Sequence, residues 1–230
     1  MTSVSFLRHN SFFSPEDAAG KTLNIIGVGA TGSWVGLLAA KMGWHQFRVW
    51  DLDLVESHNC PNQIYDLDQV GKKKVDAFEE KLLQFNPQVT VEKYPVFFES
   101  ELHMHLLTDA VFVAVDSINA RRDIISNIKD NVEVDIIFET AVGFASSSIN
   151  AFTPFDTSYI DSYLGTLKDE DEYEESACNA RIITTLTSIT ASYLTHQLCD
   201  YYSSRRRKTS FILPKKNLLS LDSLLNIYNL

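Results

Sequence analysis

The residues best suited to chemistry begin with a glycine-rich loop, GVGATG at 27–32. The loop follows the apolar run 22–26 and precedes a helix-like stretch, 33–42. In this context glycines let the backbone approach a nucleotide at the positive end of a helix. Asp51 ends the next apolar run, where a carboxylate accepts hydrogen bonds from ribose hydroxyls. The pattern predicts a nucleotide site; the alternative is that the glycines only permit close packing of a helix on a sheet.

Strand-like and helix-like stretches alternate along the chain. We predict strands at 22–26, 46–50, 89–94, 110–115, 134–139 and 148–152, and helices at 33–42, 73–85, 118–128 and 181–198. The alternation predicts an α/β fold, a doubly wound, mostly parallel Rossmann-like sheet with helices on both faces and antiparallel strands at the C-terminal edge. Ligands of such sheets bind beyond the carboxyl ends of the strands.

A chain of 230 residues fits one domain, 1–230. Within it we predict an N-terminal arm at 1–20, an acidic crossover loop at about 154–177 and a C-terminal tail at about 203–230. The crossover contains DEDEYEE at 169–175, and the tail contains a candidate edge strand at 211–213. The basic run 205–208 either closes a helix C-terminus, which we prefer, or binds phosphate.

Composition narrows the functional class. Thirty acidic and twenty basic residues give a net charge of −10, which argues against a nucleic-acid binder. The most apolar late stretch, 182–199, is rich in Thr and Ser, so we expect a packed helix and not a membrane span. The N-terminus does not read as a secretory signal. The three cysteines lie far apart without a C-x-x-C pair, so we expect free thiols, no zinc site and a cytoplasmic protein.

Several further motifs follow the loop in order. They are DLDLVESHNCPNQ at 51–63, VGKKK at 70–74, Asn86-Pro87 and VDSINAR at 115–121. With this series the chain resembles the ThiF/MoeB/HesA family, the adenylating domains of ubiquitin-like-protein activating enzymes, from about Leu23 to Gln197. An NAD-dependent oxidoreductase is a weaker alternative, because it accounts only for the glycines and Asp51.

The resemblance implies ATP- and magnesium-dependent adenylation of a C-terminal carboxylate. The substrate would be a small ubiquitin-like or sulfur-carrier protein with a C-terminal glycine tail, and the enzyme would be a homodimer. Lys74 would neutralise phosphate charge, Asp116 would hold magnesium, and Arg121 matches a motif arginine that we interpret as structural. The implied nucleotide-binding residues are Gly27, Gly29, Ala30, Thr31, Gly32, Asp51, Asp53, Asn59, Asn62, Gln63, Lys74 and Asp116.

Two departures from the family pattern concern arginines. Asn62 stands where the family carries the arginine of N-x-x-R-Q, and Arg8 is the first of two N-terminal motif arginines, the second being absent. Either Arg8, Lys72 or Lys73 supplies the missing cation, or the protein is a nucleotide-binding scaffold of the same family with reduced catalysis.

Cys178 follows the acidic run and precedes a predicted helix. The resemblance makes it the candidate acceptor of a thioester or persulfide-linked step, and a helix N-terminus favours a thiolate. The alternative is a half-buried packing residue.

Other candidates also have structural alternatives. The lysines at 72–74 could form a solvated helix start, Asp116 could be a helix N-cap, and Asn59 and Gln63 could be ordinary loop residues. The acidic run at 169–175 could receive a basic partner or only confer solubility.

Overall fold

A computed structural model describes residues 4–143, 146–167, 184–213, 215–220 and 226–229. Within these ranges one sheet has the strand order β3-β2-β1-β4-β5-β6-β7-β8. The strands β1 to β5 are parallel to their neighbours, whereas β6, β7 and β8 are added antiparallel. Their bounds are β1 (Thr22–Ile26), β2 (Gln46–Trp50), β3 (Thr90–Tyr94), β4 (Asp109–Val113), β5 (Val134–Val142), β6 (Ser146–Phe152), β7 (Lys216–Ser220) and β8 (Asn226–Asn229).

Helices cover both faces of the sheet, as the alternation predicts. Alternate residues of β4 enter different cores: Ala110 and Phe112 face one, and Val111 and Val113 face the other. Burial on both sides is typical of parallel strands with crossover helices. The α/β, doubly wound prediction is therefore confirmed. The helices are α1 (Ala30–Met42), α2 (Lys74–Phe85), α3 (Ser100–His103), α4 (Ile118–Asn127), α5 (Thr157–Thr166) and α6 (Thr184–Arg207).

The predicted crossover loop at 154–177 is wrong in its first half, because α5 lies inside it. Ile160 and Tyr163 of α5 are buried against the sheet. Tyr159 and Leu164 are only partly buried beside them, so the apolar period of the segment is too weak to be recognised in the sequence. The acidic run 169–175 lies outside the described residues.

The C-terminal prediction is also corrected. Residues 211–213 are not a strand; the added strand is Lys216–Ser220, in which Asn217 and Leu219 face inward. The basic run belongs to the last turn of α6, where Arg206 pairs with Asp17 of the arm and Arg207 with Asp200. The helix ends within this run, where Lys208 has φ +55° and the Thr209 N–H donates to the Ser204 carbonyl at 3.1 Å, so the run lies at a helix C-terminus as we preferred. Along the described helices, none is both long and apolar enough to cross a membrane.

Candidate functional site

The glycine loop is wedged between the ends of two strands. Gly27 has φ +94°, in the left-handed region that favours glycine, and its N–H donates to the Trp50 carbonyl at 2.8 Å. A Cβ on Gly27 would lie 2.7 Å from the Ala114 carbonyl oxygen. The loop therefore contacts the last residue of β2, Trp50, and the residue after β4, Ala114. These two strands are the neighbours of β1 in the sheet.

Two other glycines of the loop have different environments. A Cβ on Gly32 would lie 2.0 Å from the Gly27 carbonyl oxygen, so Gly32 is required by the turn itself. A Cβ on Gly29 would meet no described atom within 4 Å. Gly29 is the N-cap of α1, whose first N–H groups have no acceptor within the helix. The open space beside these N–H groups fits an anionic phosphate.

Asp51 joins the loop to the end of β2. Its Oδ2 accepts the Val28 N–H and its Oδ1 accepts the Asp53 N–H, both at 2.9 Å. Burial raises the pKa of Asp51, and the charge of Lys74 acts in the opposite direction. The Tyr65 hydroxyl donates to the Val28 carbonyl at 2.6 Å from the other side. A carboxylate fixed in this way keeps lone pairs for the hydroxyls of a ribose.

Lys74 is a buried cation at the same edge. Its Nζ lies 2.7 Å from Asp53 Oδ2, and 9% of the lysine side chain is exposed, compared with 62% for Asp53. Lys72 is half-exposed and paired with Glu80, and Lys73 is exposed. A solvated helix start thus describes Lys72 and Lys73, but it is wrong for Lys74.

The segment 59–65 covers the first turns of α1. The Trp34 indole donates to the Asn62 carbonyl at 3.1 Å, and Asn59 Oδ1 accepts the Glu56 N–H at 2.8 Å. The side-chain oxygens of Asn62 and Gln63 are buried without a hydrogen-bond partner in the described part of the chain. Buried amide groups are normally paired, so these two oxygens are available to accept hydrogen bonds.

Asp116 follows β4 and is exposed. Its Oδ1 accepts the Ser117 N–H at 2.9 Å, while the hydroxyl of Ser117 accepts the Ala120 N–H at 3.3 Å and caps α4. The N-cap alternative for Asp116 is therefore wrong, since Ser117 is the cap. Because β4 lies beside β1, the Asp116 carboxylate is at the same sheet edge as the glycine loop. An exposed oxygen ligand suits a hard cation that bridges phosphates.

Arg121 is structural, as we interpreted it, and its partner is a residue that sequence reasoning missed. Arg121 Nε lies 3.2 Å from Oε1 of the fully buried Glu139, whose Oε2 accepts the Asn150 side-chain amide at 2.7 Å. Burial raises the pKa of Glu139, and Arg121 opposes this effect. The sequence does contain a signal for this pair: Glu139 lies within the apolar run that forms β5, and a buried acid needs a buried partner.

Arg8 does not join the site of its own chain. It is exposed in the arm, and Phe6 beside it packs against Gly43, which ends α1. The thirteen residues of α1 place this end about 20 Å from the glycine loop.

Cys178 lies outside the described residues. Cys60 is half-buried and Cys199 is buried; both are free thiols, and burial raises the pKa of Cys199. Among the described residues, no group of three or more His, Cys, Asp or Glu could hold a metal.

Comparisons with known proteins identify a family and a fold. The sequence model of the ThiF family matches residues 16–227. Ubiquitin-like modifier-activating enzyme 5 of Caenorhabditis elegans is 30% identical over 135 residues, 53% of this chain and 32% of that protein. The tRNA threonylcarbamoyladenosine dehydratase of Haemophilus influenzae is 28% identical over 111 residues, 46% of this chain and 42% of that protein. The chain thus spans less than half the length of either relative.

The same fold occurs in a solved structure. E. coli MccB with ATP has a TM-score of 0.72 at 15% identity, over 94% of this chain and 65% of that chain. MccB has also been solved with AMPCPP and MccA.

Proposed function

The chain belongs to the ThiF family, and from this premise we propose that it uses ATP to adenylate a carboxylate. The observation that carries the proposal is the arrangement at one sheet edge. An open glycine loop at the start of α1, the Asp51 carboxylate bonded to that loop and the buried Lys74 ammonium all meet there. Together they supply a phosphate cradle, a ribose acceptor and a cation for the developing phosphate charge.

Each of these residues has a distinct role in the proposal. The N–H groups at the start of α1 bind phosphate oxygens, and Asp51 orients the ribose. Lys74 exchanges its exposed partner Asp53 for phosphate as the carboxylate attacks the α-phosphate and the bond to pyrophosphate breaks. The low exposure of Lys74 strengthens its attraction for that charge.

Magnesium fits the proposal through Asp116. When bound, the ion neutralises phosphate charge and orients the leaving pyrophosphate. The chain contributes an exposed carboxylate held at the start of α4 by the Ser117 N–H.

We further propose that the substrate is the C-terminus of a small ubiquitin-like or sulfur-carrier protein. The support is the similarity to ubiquitin-like modifier-activating enzyme 5, together with the presence of MccA in the MccB structure. A tRNA substrate is suggested by the name of the other relative. It is disfavoured by the net charge of −10, because a phosphate backbone would be repelled.

Two further parts of the proposal rest on the sequence resemblance: Cys178 accepts the activated carboxyl group, and the protein is a homodimer. A cytoplasmic location rests on the three separated cysteines. In a homodimer Arg8 would act on the nucleotide of the neighbouring subunit. That role agrees with its position outside the site of its own chain.

A second candidate function is a nucleotide-binding scaffold with reduced catalysis. It is favoured by Asn62, whose neutral side chain replaces a phosphate-binding cation and has an orphaned buried oxygen. Such a protein would bind ATP or AMP without releasing pyrophosphate.

The two candidates differ in pyrophosphate release from ATP. We would measure this release with a panel of ubiquitin-like and sulfur-carrier proteins that end in a free glycine carboxylate, using C-terminally amidated forms as controls. If the protein adenylates its substrate, pyrophosphate is released only with a free C-terminal carboxylate, and the Asp116→Ala variant releases none. ATP binding without release for every panel member would favour the scaffold, and release that survives in Asp116→Ala would contradict the proposed role of Asp116.

A further inference from the structure

A buried polar network connects α5, β6, β5 and α4 behind the site. Glu139 of β5 is fully buried, and its carboxylate is held by the Asn150 amide at 2.7 Å and by the Tyr163 hydroxyl. The Tyr159 hydroxyl donates to Asn150 Oδ1 at 2.8 Å. Burying an ionised carboxylate is costly unless it is paired, and in the described part of the chain the charged partner of Glu139 is Arg121.

Arg121 links this network to the backbone immediately before Asp116. One nitrogen of its guanidinium, Nη2, donates to the Val115 carbonyl at 2.7 Å and reaches the Thr140 carbonyl at 3.5 Å. Val115 lies beyond the last residue of β4, so the sheet ladder does not fix its carbonyl. The guanidinium is planar and offers several donors in a fixed geometry. Its Nε forms an ion pair with Glu139 Oε1 without hydrogen-bond geometry, while Nη2 of the same group donates to the Val115 carbonyl.

We propose that Glu139 is a positioning residue, which holds Arg121 so that the guanidinium fixes the β4–α4 turn carrying Asp116. The carboxylate does not touch the nucleotide; it acts through one side chain and one backbone carbonyl. The Ser117 N–H, which binds the Asp116 carboxylate, begins α4 immediately after this turn. A shift of the Val115 carbonyl therefore moves Asp116 and its only described hydrogen-bond donor together.

Hydrogen exchange in the protein alone tests this coupling independently of activity. In Glu139→Gln we expect the amides of Ser117 and Ala120 to exchange about tenfold faster, because the turn opens more often. Tyr202→Phe controls for the loss of a polar contact elsewhere: it removes a half-buried hydroxyl contact to Asp135 at 3.0 Å, at the opposite sheet edge. We expect it to leave these two amides unchanged.

Arg121→Lys provides a second variant. Lysine keeps a charge beside Glu139, but one ammonium cannot hold both the carboxylate and the Val115 carbonyl as the guanidinium does. We expect the same faster exchange as in Glu139→Gln, and this variant carries the test if Glu139→Gln does not fold. Unchanged exchange in the folded variants would overturn the proposal whatever the protein catalyses.

The kinetic part of the inference rests on the proposed adenylation. At saturating ATP we expect Glu139→Gln to lower kcat for pyrophosphate release at least about tenfold, since a misplacement of about 1 Å can cost 10²-fold. KM for ATP should change by less than about threefold, because Asp51 and Lys74 remain in place. Wild-type protein without release would contradict the adenylation proposal alone. Active wild type with an equally active Glu139→Gln variant would overturn the positioning role.

Discussion

At the scale of single residues, Asp51 shows a conflict between stability and binding. Its carboxylate organises the glycine loop through the Val28 N–H, yet burial raises its pKa. A raised pKa means that the folded protein favours the neutral form. Its contribution to stability is therefore present below the ordinary pKa of 3.8 and is lost as the pH rises through the raised value. Ionised Asp51 thus lowers the stability of the folded protein at neutral pH, as groups that serve binding often do.

We therefore expect Asp51→Asn to separate the two properties. At neutral pH its thermal midpoint should stay close to that of the wild type, because the variant removes a buried charge but its single amide oxygen can accept only one of the Val28 and Asp53 N–H groups. ATP affinity should fall roughly tenfold or more, because the hydroxyl acceptor loses its charge. Calorimetric unfolding over pH and titration calorimetry with ATP measure these effects. A less stable variant with unchanged affinity would show that Asp51 is only a structural residue.

Lys74 supplies a second prediction at this scale. We expect Lys74→Gln to weaken ATP binding roughly 10- to 100-fold, because the ammonium faces phosphate from a site with low exposure. Lys81→Gln is the control, since Lys81 lies on the same helix and also pairs with an aspartate, Asp66. Equal losses in both variants would indicate a general charge effect and not a site at Lys74.

At the scale of elements, the N-cap glycine of α1 and a glycine inside this helix have opposite surroundings. Gly29 has room for a Cβ, whereas a Cβ on Gly36 would lie 2.2 Å from the Phe78 ring. The first glycine is open towards the candidate ligand, and the second is needed for α1 to pack against α2. The GVGATG motif and its helix therefore combine a binding requirement with a packing requirement.

Alanine substitutions distinguish these requirements. We expect Gly29→Ala to fold with a stability change within about 1 kcal/mol but to bind ATP at least about tenfold more weakly, because the methyl group occupies the phosphate cradle. Gly36→Ala should lose about 1–3 kcal/mol through overpacking, while its folded fraction keeps its ATP affinity. Chemical denaturation and titration calorimetry measure both. Unchanged affinity in Gly29→Ala would place the nucleotide elsewhere.

Strands and helices were predicted correctly where the pattern of apolar residues in the sequence matches the pattern of burial in the structure. The strands at 22–26 and 46–50 match β1 and β2, because parallel strands buried on both faces appear as short apolar runs. The prediction failed at Thr157–Thr166, where a helix buries only Ile160 and Tyr163. It also misplaced the strand near the C-terminus, because the pairing of Lys216–Ser220 with β6 is a tertiary contact that local pattern does not encode.

At the scale of the whole molecule, the N-terminal arm is fastened to the end of α6. Asp17 has 3% of its side chain exposed and lies 2.7 Å from Arg206. Burial alone would raise the pKa of Asp17, but the Arg206 and Ser14 hydrogen bonds lower it overall. A lowered pKa contributes stability above the ordinary value of 3.8, and that contribution is lost as the pH falls through the lower folded value.

We expect Asp17→Asn to destabilise the protein at neutral pH by about 1–2 kcal/mol. The loss is no larger because water around the exposed Arg206 side chain screens part of its attraction to Asp17. The difference from wild type should shrink as the pH falls below the ordinary pKa. Urea unfolding over pH checks this behaviour. Nucleotide affinity should not change, because the arm lies at the opposite end of α1; a parallel loss of affinity would contradict that separation.

The sequence predicts which residues of the candidate site lie near one sheet edge. The glycine loop, Asp51 and Asp116 fall at this edge because parallel strands bring their carboxyl ends together, and Lys74 at the start of α2 reaches it through Asp53. Glu139 was not predicted as part of the supporting network, because its partners come from three other elements. Lys74 illustrates the same limit: its low exposure depends on packing that a run of three lysines does not reveal.

Titration calorimetry distinguishes an ATP site at the glycine-loop edge from a dinucleotide site. Purified wild-type protein and Asp116→Ala would be titrated with ATP in the presence of magnesium, and with NADH in parallel. We expect wild-type protein to bind ATP, the variant to bind it at least about tenfold more weakly, and neither to prefer NADH. NADH binding without measurable ATP affinity would contradict the account and assign the glycine loop to redox chemistry.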